Sequence, residues 1–415
     1  MQACIHRGSK EIGGSCVEVV SREKRIVIDL GLPLDSTKDS ITYLPDIPGL
    51  IQNDDSLLAI IISHPHIDHY GLLSHVRKDI PVIMGAAARR IITAAAPFMQ
   101  SSFTIPAGVM DLTSEEKIKL GPFTITPYLM DHSGYDSYSL LIEADEKRLF
   151  YTGDFRSHGR KAILTEKLKS NPPPGIDVLL MEGSTLGRSD SDAHYPTEAD
   201  IEKQLADIFK NTSSLTLVHV SSQNIDRIVS IFRACKRTNK TLVIDLYTAV
   251  ILDATGNNNI PQSSWPGVAL FIPQSQRVKI KDDKLFELLK KHSMKRIYIE
   301  NIKEFAGKFV LLFRTLHIPD LEKNDLQKNS MYIYSMWEGY WPTKSLSPVR
   351  EWINKHSIPM ERIHTSGHSS AADLKRFAES IRPGILVPIH TFEPKRYTEL
   401  FDNVKLYADG EYWEV

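Results

Sequence analysis

Ser63-His64-Pro65-His66-Ile67-Asp68-His69 follows directly on the apolar run 57–62, so a buried strand ends in a loop carrying three histidines and an aspartate. A strand end of this kind presents nitrogen and oxygen donors from one rigid edge. Imidazole suits zinc and similar cations, and the carboxylate in the same loop adds the negative charge that a second cation needs. For a single histidine an ordinary polar loop is the better account; for this density of donors a metal site is.

Around that loop the chain has 415 residues, too many for one ordinary core and suited to two or three domains. A formal net charge of -1 and a pI near 7.0 give no global attraction to nucleic acid. Such a partner has to be held by a local basic surface. The basic clusters at 233–240 and 277–296 are the candidates, although solvated helix faces produce such runs too. Cys4, Cys16 and Cys235 fit neither a disulfide framework nor a thiolate zinc site, which points to a reducing cytoplasm. Residues 1–14 hold no apolar signal core, and no run approaches the roughly 18 apolar residues of a membrane span. A soluble cytoplasmic protein with no membrane partner is expected.

Strands are expected at 16–20 and 25–30, joined by a charged turn, with Asp29 at the end of the second. After the histidine loop, 71–77 and 86–96 read as helices around a strand at 81–84. The strand 123–130 ends in Asp131-His132-Ser133-Gly134, and strands at 138–143 and 148–152 lead into Gly153-Asp154-Phe155-Arg156. Strand after strand thus ends in a candidate ligand, which is how a sheet edge gathers a site from residues distant in sequence. Asn171-Pro172-Pro173-Pro174-Gly175 breaks the chain before a strand at 177–181 that ends in Glu182. Helices at 197–210, 225–237 and 284–292 then alternate with strands at 215–220, 241–246 and 296–300, the pattern of a separate parallel-sheet unit whose last strand is 331–335. A helix at 371–381 and a strand at 385–389 ending in His390 restore the earlier pattern. The expected organisation is a first domain at 1–185, an insertion at 186–345 and a return to the first domain at 346–415.

His64, His66 and His132 make a three-nitrogen site that leaves one coordination position open, as catalytic zinc does for water. Asp68, His69 and His390 make a second, more oxygen-rich one, and Asp154 can bridge the two. Two cations about 3.5–4 Å apart can clamp the attacking and leaving oxygens of an in-line displacement. His75, His158, His194, His219, His292, His317 and His356 have no such context, and Trp337 and Trp341 are better explained by packing than by base stacking.

In order, Asp29, the loop HPHIDH (64–69), His132 and Asp154 match the successive motifs of the metallo-β-lactamase fold. Glu182, His368 and His390 match the additional motifs of its beta-CASP branch. IHTSGHSSAADLKRFAESIRPGILVPIH (363–390) and the opening GSKEIGGSCVEVV (8–20) with IVIDLGL (26–32) are similar to the corresponding passages of the ribonuclease J family. This resemblance implies an α/β fold, an αββα metallo-β-lactamase sandwich with an inserted α/β beta-CASP domain. It also implies two Zn2+ ions, with Mn2+ or Mg2+ as alternatives, and a nuclease that hydrolyses RNA, the single strand entering between the domains. Asp68 and Asp154 serve catalysis as well as metal binding, Asp29 is a supporting carboxylate, and His368, oriented by Glu182, donates the proton to the leaving oxygen. His364 and Ser366 contact a substrate phosphate. A DNA nuclease of the same family is the nearest alternative, although the DNA-repair branch generally lacks a histidine matching His368; a lactonase or thioesterase is the more distant one. Thr391-Phe392-Glu393 after His390, Gly183 after Glu182, and the lack of a further C-terminal domain depart from the family pattern. They leave substrate, 5′-end preference and assembly, a homodimer included, open.

Overall fold

The strand Leu57–Ile61 that carries the histidine loop is apolar on both faces, as a strand covered on both sides must be. Ala59 and Ile61 enter one core, Leu57 and Ile60 another. The same alternation recurs in Lys24–Ile28, where Ile26 and Ile28 face the first core and Val27 the second. The computed structural model describes residues 1–34, 36, 41–99, 105, 108–187 and 194–415. Two units are distinguished, Met1–Tyr195 with Gly367–Val415, and Pro196–Ser366.

In the first unit, one sheet has the order Tyr412–Glu414, Gln2–Arg7, Cys16–Ser21, Lys24–Ile28, Leu57–Ile61, Val82–Gly85, Val109–Leu112. The other runs Ile385–Ile389, Val178–Glu182, Lys147–Tyr151, Ser137–Ala144, Phe123–Met130, Ile118–Leu120. The inward residues of both sheets, among them Val17, Ile28, Ile61, Leu140, Leu149, Leu180 and Val387, share one core. The outer face of the first sheet is covered by Tyr70, Leu73 and Ile92 of its flanking helical segments. Leu168 of the helix Ala162–Ser170, with Leu374, Phe377 and Ile381 of the helix Ala371–Ile381, covers the outer face of the second. Two sheets between two helical layers make an αββα sandwich, and strands buried on both faces explain why their sequences read as near-continuous apolar runs.

The second unit is a parallel sheet in the order Arg296–Ile297, Val268–Phe271, Thr241–Ile244, Phe309–Phe313, Thr216–His219, Met331–Tyr334, Met360–Arg362. Its helices start where their sequences say they should: the Thr197 and Asp200 side chains form a capping box for Glu198–Asn211, and Asn224 accepts from Arg227 N at the head of Ile225–Arg237. Trp341 packs against this unit's core and meets the Tyr334 ring at 4.8 Å.

Several expectations shift. The second unit ends at Ser366, not at 345, because Met360–Arg362 adds an edge strand beyond 331–335 and Val349, Trp352 and Ile353 of the helix Ser347–His356 belong to its core. It starts at Pro196, later than 186; residues 188–193 lie outside the described part. The strand expected at 296–300 stops at Ile297 and gives way to the helix Ile299–Glu304. In place of a helix at 71–77 there is a short helix inside the histidine loop itself, Ile67–Tyr70, and a 3-10 turn, Leu73–His75. Among the described residues no helix is long and apolar enough to cross a membrane.

Candidate metal centre

Strand ends deliver the donors. Asp29 follows Lys24–Ile28 with φ 58, and His390 follows Ile385–Ile389 with φ 54, a left-handed backbone that costs a residue other than glycine about 1–3 kcal/mol. Hydrogen bonds hold both. Asp29 accepts from Ser63 N at 2.7 Å, Ser63 Oγ at 2.8 Å, Tyr151 Oη at 2.7 Å and His69 Nδ1 at 2.8 Å. His390 N donates to Gly8 O at 2.7 Å. Just beyond Asp29, a Cβ on Gly31 would lie 1.7 Å from Asp68 O, so only glycine lets this segment pass the histidine loop.

Three ring nitrogens converge. His64 Nε2 and His132 Nε2 each lie 3.2 Å from His66 Nδ1. The opposite nitrogens are occupied: His132 Nδ1 donates to Gly367 O at 2.6 Å, and His64 Nδ1 to Ser63 Oγ at 3.0 Å. The Nε2 atoms of His64 and His132 therefore carry bare lone pairs that face the His66 nitrogen. Ligands on one tetrahedral zinc with bonds of about 2.0–2.1 Å are about 3.3 Å apart, so this spacing fits a shared cation.

A second group lies alongside. Asp68 Oδ2 is 3.9 Å from both His69 Nε2 and His390 Nε2. Asp154 Oδ2 is 3.3 Å from His69 Nε2, 3.6 Å from His390 Nε2 and 3.6 Å from His64 Nε2, touching both groups. Asp154 Oδ1, His69 Nε2 and His390 Nε2 are buried and make no hydrogen bond among the described residues. Buried polar atoms without partners are costly, and convergent ones of donor type suit cations. His64, His66, His132 and Asp154 can hold one ion, and Asp68, His69 and His390 another.

The electrostatics keep most of these rings in ligand form. Burial, with the charges of neighbouring histidines, pushes His64 and His132 well below the ordinary imidazole range, burial brings His66 down to about 4, and it lowers His390 as well. Burial alone would raise Asp154, but His390, His69 and His368 hold its carboxyl well below the usual range. His69 is the exception: burial works to lower it, while Asp154, Asp29 and Asp68 together hold it well above an ordinary histidine. A cation bound among those carboxylates would take the place of that proton.

Beside Asp154 stands a histidine that belongs to a different arrangement. His368 Nδ1 is 3.1 and 3.2 Å from the two Glu182 oxygens and 3.7 Å from Asp154 Oδ2. Burial lowers its pKa, yet Glu182 and Asp154 outweigh burial and raise it to about 9. Glu182 is fixed in turn by Ser184 Oγ at 2.7 Å and Phe155 N at 3.2 Å. His364 and Ser366, both half-buried, lie on the second unit and are not among the ligand groups. There Ser335 Oγ donates to Ile363 O at 2.6 Å and Arg227 to Thr365 O at 3.4 Å, on either side of His364. Sequence reasoning missed Tyr151 and Ser63, which orient Asp29, and Ser15, whose Oγ lies 2.9 Å from His390 Nδ1. Only Tyr151 carried a signal, as the last residue of a strand leading to Asp154.

Comparison with known proteins agrees with this geometry. Residues 25–219 match the family described as "Beta-lactamase superfamily domain", a span that takes in Asp29, the histidine loop, His132, Asp154 and Glu182. Ribonuclease J of Sinorhizobium meliloti is 23% identical over 364 residues, 84% of this chain and 60% of the relative. Ribonuclease J of Helicobacter pylori strain 26695 is 23% identical over 408 residues, 92% of this chain and 55% of the relative. Ribonuclease J2 of Bacillus subtilis is 19% identical over 404 residues, 92% of this chain and 68% of the relative. The chain thus spans 60% and 55% of the length of the first two of these relatives. The crystal structure of a protein of unknown function from Enterococcus faecalis V583 shares the fold, with a TM-score of 0.79 and 21% identity over 99% of both chains. Residues 25–219 are thus similar to a beta-lactamase superfamily domain, and the chain's similarity to ribonuclease J extends over most of its length.

Proposed function

We propose that this protein is a nuclease that hydrolyses RNA phosphodiester bonds with two metal ions, Zn2+ in the first instance. The observation that carries this is the Glu182–His368 pair beside Asp154, 3.1 Å between Oε1 and Nδ1, next to two groups of metal-type donors. A hydrolase of activated esters needs the cations alone. A phosphodiester whose leaving group is a sugar hydroxyl also needs a proton on that oxygen.

Bound cations supply Lewis acidity and a water that ionises near neutral pH. His64, His66, His132 and Asp154 would hold one, and Asp68, His69 and His390 the other, with Asp154 facing both groups. The chain's own part in the chemistry is proton placement. Glu182 accepts from His368 Nδ1, which fixes the ring and leaves Nε2 as the atom that hands a proton to the leaving oxygen. His364 and Ser366 take the role of phosphate contacts, with the main chain on either side of His364 held by Ser335 and Arg227. The partner is single-stranded RNA. A cytoplasmic location fits three cysteines that are all free and buried.

The test is incubation with RNA and DNA of matched sequence, labelled at either end, with Zn2+, Mn2+ and Mg2+ varied. RNA should be cut, and His368→Ala should retain its metal while cleavage falls by about 10²–10⁴-fold. Preferential cutting of DNA would reassign the substrate, and faster turnover of lactones or thioesters than of any oligonucleotide would overturn the proposal.

A further inference from the structure

Asp131 and Arg156 are both fully buried, and neither is a metal ligand in either donor group. Each stands next to one that is. Asp131 precedes His132, and Arg156 lies two residues beyond Asp154. The two loops are tied twice. Along the main chain, Arg156 N donates to Asp131 O at 2.7 Å. Through side chains, Arg156 Nε faces Asp131 Oδ1 at 3.5 Å, while Asp131 Oδ2 accepts from Gly159 N at 2.7 Å. The Arg156 carbonyl is held by Thr165 Oγ1 at 2.8 Å, which anchors the loop to the helix Ala162–Ser170. A Cβ on Gly159 would lie 2.2 Å from Asp131 Oδ1 and 2.4 Å from Arg156 Nε, so the pair is closed in without room for a side chain.

A buried ion pair stabilises a fold little better than apolar residues of the same shape, because both charges must be stripped of water. Its value lies in fixing geometry. We propose that Asp131 and Arg156 are positioning residues for the metal centre: by locking the strand end of His132 to the strand end of Asp154, they set the distance between the three-histidine group and the carboxylate that faces both groups. His132 enters only the first donor group, whereas Asp154 also meets His390 and His368. Slack between the two loops would loosen the first site and pull the Asp154 carboxylate away from the second.

The proposal rests on the metal centre but not on the nuclease reading, and its test is metal binding. Wild-type protein stripped of metal is titrated with Co2+, read by visible absorption and by competition with a chelator. Arg156→Lys keeps the charge but loses the planar fork, and the double variant Asp131→Asn/Arg156→Met removes both charges so that neither is left buried alone. Both variants should bind Co2+ about 10–100-fold more weakly than wild type, the usual cost of disturbing groups that orient ligands, with a shifted absorption band. As a control for simple loss of stability, Glu198→Gln/Arg227→Met neutralises a comparable buried pair in the second unit and should leave Co2+ affinity and spectrum unchanged. Wild-type affinity and spectrum in every folded variant would overturn the assignment. Failure of the wild-type protein to bind Co2+ would instead remove the metal centre itself, whatever the variants did.

Discussion

Asp29 places a carboxylate where four donors converge, from Ser63 N and Oγ, His69 Nδ1 and Tyr151 Oη, and it does so from a left-handed backbone. With Nδ1 of His69 committed to Asp29, Nε2 is left as the lone pair that faces Asp154 and Asp68. Asp29→Asn keeps the shape but turns one acceptor oxygen into a donor amide, so at least one of the four donors meets another donor. Chelator competition should register metal affinity about 10–100-fold weaker, and thermal unfolding a loss of about 1–3 kcal/mol. Unchanged metal affinity would mean that the His69 ring is oriented by something else. The candidate donors were legible because each ends or follows an apolar strand. The residues that orient them were not: Ser63, Ser15, Asp131 and Arg156 are common side chains whose role comes from strands remote in sequence.

Most elements were legible for the same reason, near-continuous apolar runs in strands buried on both faces or a period of 3.6 that matched burial in helices, as in Val178–Glu182 and Ala371–Ile381. The first strand, Gln2–Arg7, was missed: its second half, Ile5-His6-Arg7, carries charge-capable side chains that look like a loop. The reason for them lies in the neighbouring strand. Glu18 is fully buried and accepts from His6 Nε2 at 2.8 Å, Arg25 Nη1 at 2.9 Å and Tyr412 Oη at 2.6 Å, so it joins three other strands of the first sheet. Burial would raise its pKa, but the bonds from His6 and Tyr412 prevail and hold the carboxyl below its ordinary value of 4.5. A depressed carboxyl contributes stability above the unfolded value and loses it as pH falls through the lower, folded one. Acidification below about pH 4.5 should therefore release Tyr412–Glu414 first, seen as early hydrogen exchange in that strand. Tyr412→Phe should weaken the same strand at neutral pH by about 1.5–3 kcal/mol and flatten the acid response. Equal protection of Tyr412–Glu414 in both proteins across that range would refute the clamp.

At the scale of the molecule, the donors from Asp29 to His390 all belong to one unit although the second unit, Pro196–Ser366, interrupts the chain between Glu182 and His368. That interruption was legible as a change from strands ending in ligands to alternating helices and strands. Its far boundary was not, because the short edge strand Met360–Arg362 has only three residues and its burial depends on a parallel neighbour, Met331–Tyr334. The distribution has a consequence for stability. Ligands that bind only the folded state stabilise it by mass action, about 4 kcal/mol at a thousandfold excess over Kd, and both donor groups lie in the first unit. Chelation should therefore lower the unfolding transition of Met1–Tyr195 with Gly367–Val415 and leave that of Pro196–Ser366 in place, so that one melting curve separates into two. Hydrogen exchange read segment by segment would assign the transitions. Faster exchange should appear at the strand ends next to Asp29, His132, Asp154 and His390, while the strands Thr216–His219 and Phe309–Phe313, in the middle of the second unit's sheet, keep their protection. Equal loss in both units would mean that the second unit depends on the metal centre for its own stability, which none of its internal hydrogen bonds, such as those of Arg227 to Glu198 and Ser335, requires.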